Sequence, residues 1–241
     1  SIGGAAAITS DATSGVATFN NKIALTNAAP TIAVNSTNTL TLAGQVSGAA
    51  TSLTKTGTGT LVLSGANTYT GATAVNVGIL SAANDLALGT TPGNTTVAAD
   101  GSLELQGNVT IAFETLSLTG DGATVDADTS GGALRNLSGN NIISGAITLA
   151  AATTIQSDGG TLNINGAISG TGLALTAEGA GNTVIDGVLG TGAAGTLIKN
   201  DAGTLTLANA NTYTGLTTIN GGTVSVTNAT GLGTNAGDTT V

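Results

Sequence analysis

Aliphatic residues recur along this chain at every second position, in short runs that each end on glycine or asparagine. Gly44, Gly65, Gly107, Gly145, Gly166, Gly187 and Asn209 mark the ends of seven such runs, at spacings of 21, 42, 38, 21, 21 and 22 residues. The positions two and four before each marker are Leu40/Leu42, Leu61/Leu63, Leu103/Leu105, Asn141/Ile143, Leu162/Ile164, Thr183/Ile185 and Leu205/Leu207, and 12 of the 14 are Leu or Ile. The interleaved positions are polar in 11 of 14, among them Thr39, Thr41, Ser102, Glu104, Thr161, Asn163, Thr204 and Thr206. Alternation of this kind predicts half-buried strands, and the glycine or asparagine that follows can turn the chain. Two residues beyond the marker another aliphatic follows at Val46, Val109, Ile147, Ile168 and Leu189, so the chain bends and returns to the core. No segment has helical periodicity.

Short strands at a fixed spacing, with their apolar faces in phase, stack as coils that bond through the backbone above and below. The spacing predicts an all-β solenoid, a parallel β-helix of about 21 residues per three-sided coil, with the 42 and 38 intervals read as double turns. Leu42, Leu63, Leu105, Ile143, Ile164, Ile185 and Leu207 are expected to form one stacked internal row. A β-sandwich or up-and-down barrel also uses short strands, but rarely keeps a constant phase.

A longer repeat overlies the short one. Residues 55–97 align without gaps to 199–241, an offset of 144, with 23 of 43 positions identical. Gly59-Thr60-Leu61 answers Gly203-Thr204-Leu205, and Ala66-Asn67-Thr68-Tyr69-Thr70-Gly71 answers Ala210-Asn211-Thr212-Tyr213-Thr214-Gly215. Residues 1–241 are read as one continuous β-helical segment containing these two similar repeats. The segment GTGTLVLSGANTYTGATAVNVGIL at 57–80, preceded by Lys55, resembles the autotransporter-associated β-strand repeat of bacterial surface proteins, and Gly203 to Val224, preceded by Lys199, is similar to it. The resemblance implies a right-handed parallel β-helix, export across the outer membrane and exposure at the bacterial cell surface. The C-terminal barrel of an autotransporter is not part of these residues.

Composition narrows the chemistry. Charged residues are 7% of the chain, and Cys, His, Met and Trp are absent. The commonest general base and metal ligand is therefore missing, as is any thiolate. Lys22, Lys55, Arg135 and Lys199 are the only cations against 13 acids, a net charge of −9, which argues against nucleic-acid or anionic-membrane partners. Mean hydropathy is positive (+0.34), but polar residues interrupt every apolar stretch, and the aromatics Phe19, Tyr69, Phe113 and Tyr213 are too few for the girdles of a membrane barrel.

Several groups of residues are candidate sites. Asp121, Asp126 and Asp128 lie among glycines, as calcium ligands do, and Asp126, Asp128 and Ser130 resemble the start of an EF-hand loop. The position that should supply the bidentate Glu is Leu137, so a solvated corner is the expectation. Asp100 with Glu104, and Glu114, are candidate carboxylates for polysaccharide hydrolysis, which needs two carboxyls flanking a held sugar. Little aromatic surface is present to stack that sugar, and Arg135 is the single arginine available for lyase chemistry. An ice-binding ladder would need outward Thr-x-Thr pairs coil after coil, and only Thr39/Thr41 and Thr204/Thr206 comply. Tyr69 and Tyr213 are expected to cover a corner of the coil, and Asn67 and Asn211 to pair their amides with neighbouring coils or turns.

The reading is a structural stalk or fibre segment, adhesion-related and extracellular, with no catalytic residue, cofactor or metal. A carbohydrate-active β-helix and an ice- or receptor-binding one are the alternatives. The rod would hold about 11 coils at ~4.8 Å each. The expected partners are host or surface receptors, and flanking coils or other copies of the chain docking end to end, because neither terminus shows a charged or helical cap.

Overall fold

The computed structural model describes residues 7–10, 15–26, 29–90, 93–112, 114–126, 129–234 and 237–241. These form 27 short strands and no helix. Apart from one antiparallel hairpin, every pairing is parallel, and the strands stack as a β-solenoid of about 10 coils.

Three faces run along the solenoid. The first stacks Thr31–Val34, Leu53–Thr56, the first halves of Thr73–Ala82 and Asn94–Gln106, Thr115–Gly120, the start of Ile147–Ser157, Ile168–Ser169 and Leu189–Gly190. The second stacks Val16–Phe19, Thr39–Leu42, Thr60–Leu63, the second halves of Thr73–Ala82 and Asn94–Gln106, and Leu134–Ser138. It continues through the end of Ile147–Ser157, Leu175–Glu178, Leu197–Lys199, Thr217–Ile219 and Thr239–Thr240. The third carries Ile23–Ala24 on Val46–Ser47 and, farther along, Thr110–Ile111, Asn140–Ile143, Thr161–Ile164, Asn182–Ile185, Thr204–Leu207 and Thr223–Val226. Alternation holds strand by strand: Thr39–Leu42, Thr60–Leu63, Thr161–Ile164 and Thr204–Leu207 each bury their second and fourth residues and leave the others partly exposed. Val46, Val109, Ile147, Ile168 and Leu189 are buried as the pattern requires.

The expected single internal row is two rows. Leu42 stacks on Leu63, Leu63 on Ala82, Ala82 on Leu105 and Leu105 on Asn136, all on the second face. Ile143, Ile164, Ile185 and Leu207 stack on the third face, with Ile111 before them and Val226 after. The break has a physical cause. Between Thr115–Gly120 and Leu134 the chain leaves the solenoid as an excursion containing the antiparallel hairpin of Thr124–Asp126 and Thr129–Ser130. This one coil takes 31 residues, the separation of the ladder partners Glu104 and Arg135, where the next takes 21, that of Asn136 and Ser157. The 38-residue interval from Gly107 to Gly145 is therefore one enlarged coil plus one face, not two turns. The 42-residue interval from Gly65 to Gly107 is two coils, passing through Ala82.

The long repeat is rotated in the same way. Lys55 lies on the first face between Ile32 and Val75, whereas its counterpart Lys199 lies on the second, between Ala177 and Ile219. Leu61 lies on the second face and its counterpart Leu205 on the third. Six stacking steps lead from Leu53 through Thr73, Thr95, Leu116, Ile147 and Ile168 to Leu189, and Leu197 begins the next face. The second copy thus sits six coils and one face beyond the first.

Ile164 is fully buried and paired on both sides, by Ile143 and Ile185. An Ile164→Asp substitution places an unpaired carboxylate in that row and is expected to cost about 4 kcal/mol or more. Urea unfolding followed by circular dichroism measures it; a loss near that of an exposed substitution would contradict the stacking described.

Candidate functional site

Polar side chains are buried in many coils, and the two copies of the long repeat share a set of them. In Leu53–Thr56 the alternation points Lys55 inward, and it is fully buried. Its Nζ donates to the carbonyl oxygens of Thr56 (2.9 Å), Gly57 (2.7 Å) and Val77 (3.1 Å), so one ammonium ties a corner of its own coil to the next coil. Burial pushes the Lys55 pKa down to about 8, which still leaves it protonated at neutral pH, and three carbonyl acceptors favour that form. Lys199 repeats the arrangement on its own face, donating to the carbonyls of Asn200 and Asp201. The alternation Leu53-Thr54-Lys55 and Leu197-Ile198-Lys199 alone marks both lysines as internal.

Asn67 and Asn211 bridge coils, as expected. Asn67 Oδ1 accepts from the Val46 amide of the preceding coil (2.8 Å) and its Nδ2 donates to the Ala87 carbonyl of the following one (2.7 Å). Asn211 does the same with Leu189 and Gly231. The tyrosines do not cover a corner. Tyr69 and Tyr213 are fully buried inside the coil, where their hydroxyls share hydrogen bonds with Thr73 (2.7 Å) and Thr217 (2.8 Å). A phenol fits there because its ring fills core volume while a threonine of the same coil satisfies the hydroxyl. Desolvation raises both hydroxyl pKa values.

The candidate carboxylates Asp100, Glu104 and Glu114 do not gather into a pair. Glu104 faces outward on the second face and bonds Arg135 Nη1 at 3.0 Å, while Arg135 also holds Asp158 through Nη2 (2.5 Å) and Nε (2.7 Å). Gln156 Nε2 donates to the other Asp158 oxygen (2.6 Å). Glu104, Arg135 and Gln156 are ladder neighbours in successive coils, so the side-chain network follows the backbone stack. Burial raises the Glu104 pKa, and the Ser81 hydroxyl and the Arg135 guanidinium oppose that rise. Asp100 is exposed beside Val77, Gly78 and the excursion residues Gly122, Ala123 and Thr124, around a cleft of about 320 Å³. Asp121 is exposed at the base of the excursion and accepts from the Thr154 hydroxyl (2.7 Å). Asp126 ends the first hairpin strand; Asp128 and Phe113 lie outside the described residues. Among the described residues no group of three potential metal ligands occurs.

Glu114 differs from the other acids. It is 4% exposed, and its Oε1 accepts from the buried Thr95 hydroxyl (2.7 Å). Desolvation raises its pKa to about 7. It borders a cavity of about 360 Å³ together with Asp85, Thr90, Thr110, Leu86, Leu88, Ile111 and Ala112.

Two predictions follow from these groups. Asn67→Ala strands a buried amide and a buried carbonyl, and is expected to destabilise by about 2–4 kcal/mol in urea unfolding. The second concerns pH. Glu114 holds its proton up to about pH 7 when folded and only to 4.5 when unfolded, so its contribution is complete below 4.5 and is lost as the pH rises to about 7. Lys55 gives up its proton at about 8 when folded and at 10.5 when unfolded, so between these values the unfolded chain binds more protons and stability rises with pH. Glu104 and Glu178 shift in the direction of Glu114, and Lys199 in that of Lys55. Urea midpoints are expected to pass through a minimum between about pH 7 and 8. Glu114→Gln should flatten the acid limb and Lys55→Met the alkaline one.

No curated protein and no solved structure matches the chain. The passenger-associated-transport-repeat family matches twice, at residues 53–82 and 197–226. Each match begins on the strand that carries the internal lysine, and includes the asparagine bridge and the buried tyrosine of its copy. The chain therefore carries two matches to the passenger-associated transport repeat, six coils and one face apart, within a β-solenoid, which is consistent with the β-helical repeats of autotransporter passengers.

Proposed function

We propose that this chain is a structural segment of a bacterial autotransporter-type passenger, a β-helical stalk exposed at the cell surface. The two passenger-associated transport repeats, built into an otherwise continuous solenoid, carry this reading. The family's name ties the repeat to passengers and their transport. The role is mechanical rather than catalytic. Side chains shared by the two copies are spent on holding coils together and closing corners: Lys55, Asn67 and Asn211 bond to neighbouring coils, Lys199 to corner carbonyls of its own coil, and Tyr69 and Tyr213 to threonines of their own coil. Glu104, the best buried of the outward acids, is engaged by Arg135 rather than facing a second carboxyl at a substrate. Such a rod holds whatever it bears away from the membrane at ~4.8 Å per coil, and its doubly bonded backbone resists local opening and proteolysis.

Surface exposure is tested by antibody labelling of intact cells producing the full-length protein from its own gene. Labelling without permeabilisation is expected; labelling only after permeabilisation would overturn the reading.

A further inference from the structure

The corner that leads from the third face to the first is a column made mostly of glycine. Thr51, Gly71, Gly93, Glu114, Gly145, Gly166 and Gly187 occupy it in successive coils, and Glu114 is its one charged residue. A Cβ on Gly145 would lie 1.8 Å from the Glu114 carbonyl oxygen, one on Gly166 would lie 1.8 Å from that of Gly145, and one on Gly187 would lie 2.0 Å from that of Gly166. Close approach of backbone to backbone thus demands glycine at Gly145, Gly166 and Gly187, and the coil beneath them carries Glu114 in the same column. A large acidic residue where packing asks for none is the kind of local violation that marks a functional position.

The surroundings of Glu114 agree. Glu114 is buried and borders the cavity of about 360 Å³, which is lined by residues 85–90 of one coil and by Thr110, Ile111, Ala112 and Glu114 of the next. Asp85 lines the same cavity and uses Oδ1 to accept from the Thr110 amide (2.7 Å). The rest of the wall is Gly89, Thr90 and Thr110 with the apolar residues Leu86, Leu88, Ile111 and Ala112. No lysine or arginine is among the lining residues, so two carboxyl groups share a partly apolar hollow without a cation. Its size is at the lower end of small-molecule sites, which are mostly apolar with a few placed polar groups.

We propose that this cavity is a binding site for a small organic cation, an ammonium or guanidinium group on a short apolar body, with Glu114 as the carboxylate that holds the charge and Leu86, Leu88 and Ile111 as the wall for the apolar part. The ionised Glu114 is the binding form, so affinity rises with pH through neutrality, and below that range binding expels a proton. Asp85 faces the site from the neighbouring coil, and Tyr69 lies near Glu114 from the interior; its hydroxyl stays neutral throughout this range. Thr95 supplies the one hydrogen bond that already favours the charged carboxylate.

The test is titration of the folded chain with n-butylammonium and, in parallel, with uncharged 1-butanol, followed by amide chemical shifts and calorimetry. Butylammonium is expected to bind more tightly than 1-butanol, with shifts centred on residues 85–90 and 110–114 and with affinity that falls as salt is added. Glu114→Gln keeps the shape and removes the charge, and should weaken butylammonium at least tenfold while leaving 1-butanol unchanged. Glu114→Gly restores the glycine of the corner; it should remain as stable as the unaltered chain or become more so, and lose the site. Equal binding of alcohol and ammonium, or undiminished ammonium binding in either variant, would overturn the proposal.

Discussion

The parallel backbone ladder sets the terms for everything else in this molecule. Each coil must lie one hydrogen-bond spacing, ~4.8 Å, from the next along three faces at once. Side chains inside then stack on their counterparts in the coils above and below. The core becomes a set of columns, and a residue is judged by its column rather than by its neighbours in sequence. Leucine and isoleucine satisfy a column by stacking on themselves, as Leu40, Leu61, Leu80 and Leu103 do on the second face. At the corner from the third face to the first, the same spacing leaves no room for a Cβ at Gly145, Gly166 and Gly187, which is why glycine recurs there.

Corners are also where the ladder leaves polar backbone unpaired, and the internal polar residues answer that need. A buried carbonyl without a donor costs about 1–3 kcal/mol. Lys55 meets three such carbonyls with one group, and Asn67 replaces a missing strand pairing with a side-chain amide. Desolvating an ammonium is itself costly, so the lysine is tolerable only because its hydrogen bonds are complete. The long repeat is, physically, a kit for closing corners.

Much of this was legible in the sequence because period-2 alternation and a steady spacing are direct images of a stacked strand. Ile143, Ile164 and Ile185 are 21 residues apart and do stack, and the roles of Asn67 and Asn211 followed from their place in the repeat. The join between Leu105 and Ile143 was not legible. Spacing alone cannot separate an enlarged coil plus one face from two ordinary coils, and the three faces use the same alternating pattern. Tyr69 was misplaced for a related reason: its position after the turn marker gives no sign of whether the ring folds in or out, and Thr73 four residues on supplies the partner that lets it fold in. Glu114 looked like one acid among many until the column it interrupts could be seen.

The rotated placement of the second copy bears on how such chains grow. Copies of one sequence occupy different faces here, and both are accommodated, so the three sides of the coil are interchangeable as hosts. A duplication or deletion in the gene then need not span a whole coil to leave the solenoid continuous; any whole number of sides will do. Recombination between repeats has three permissible alignments per turn rather than one. Lineages carrying this architecture can therefore change length in steps of a third of a coil, and each such step also swings everything downstream to a new bearing around the rod.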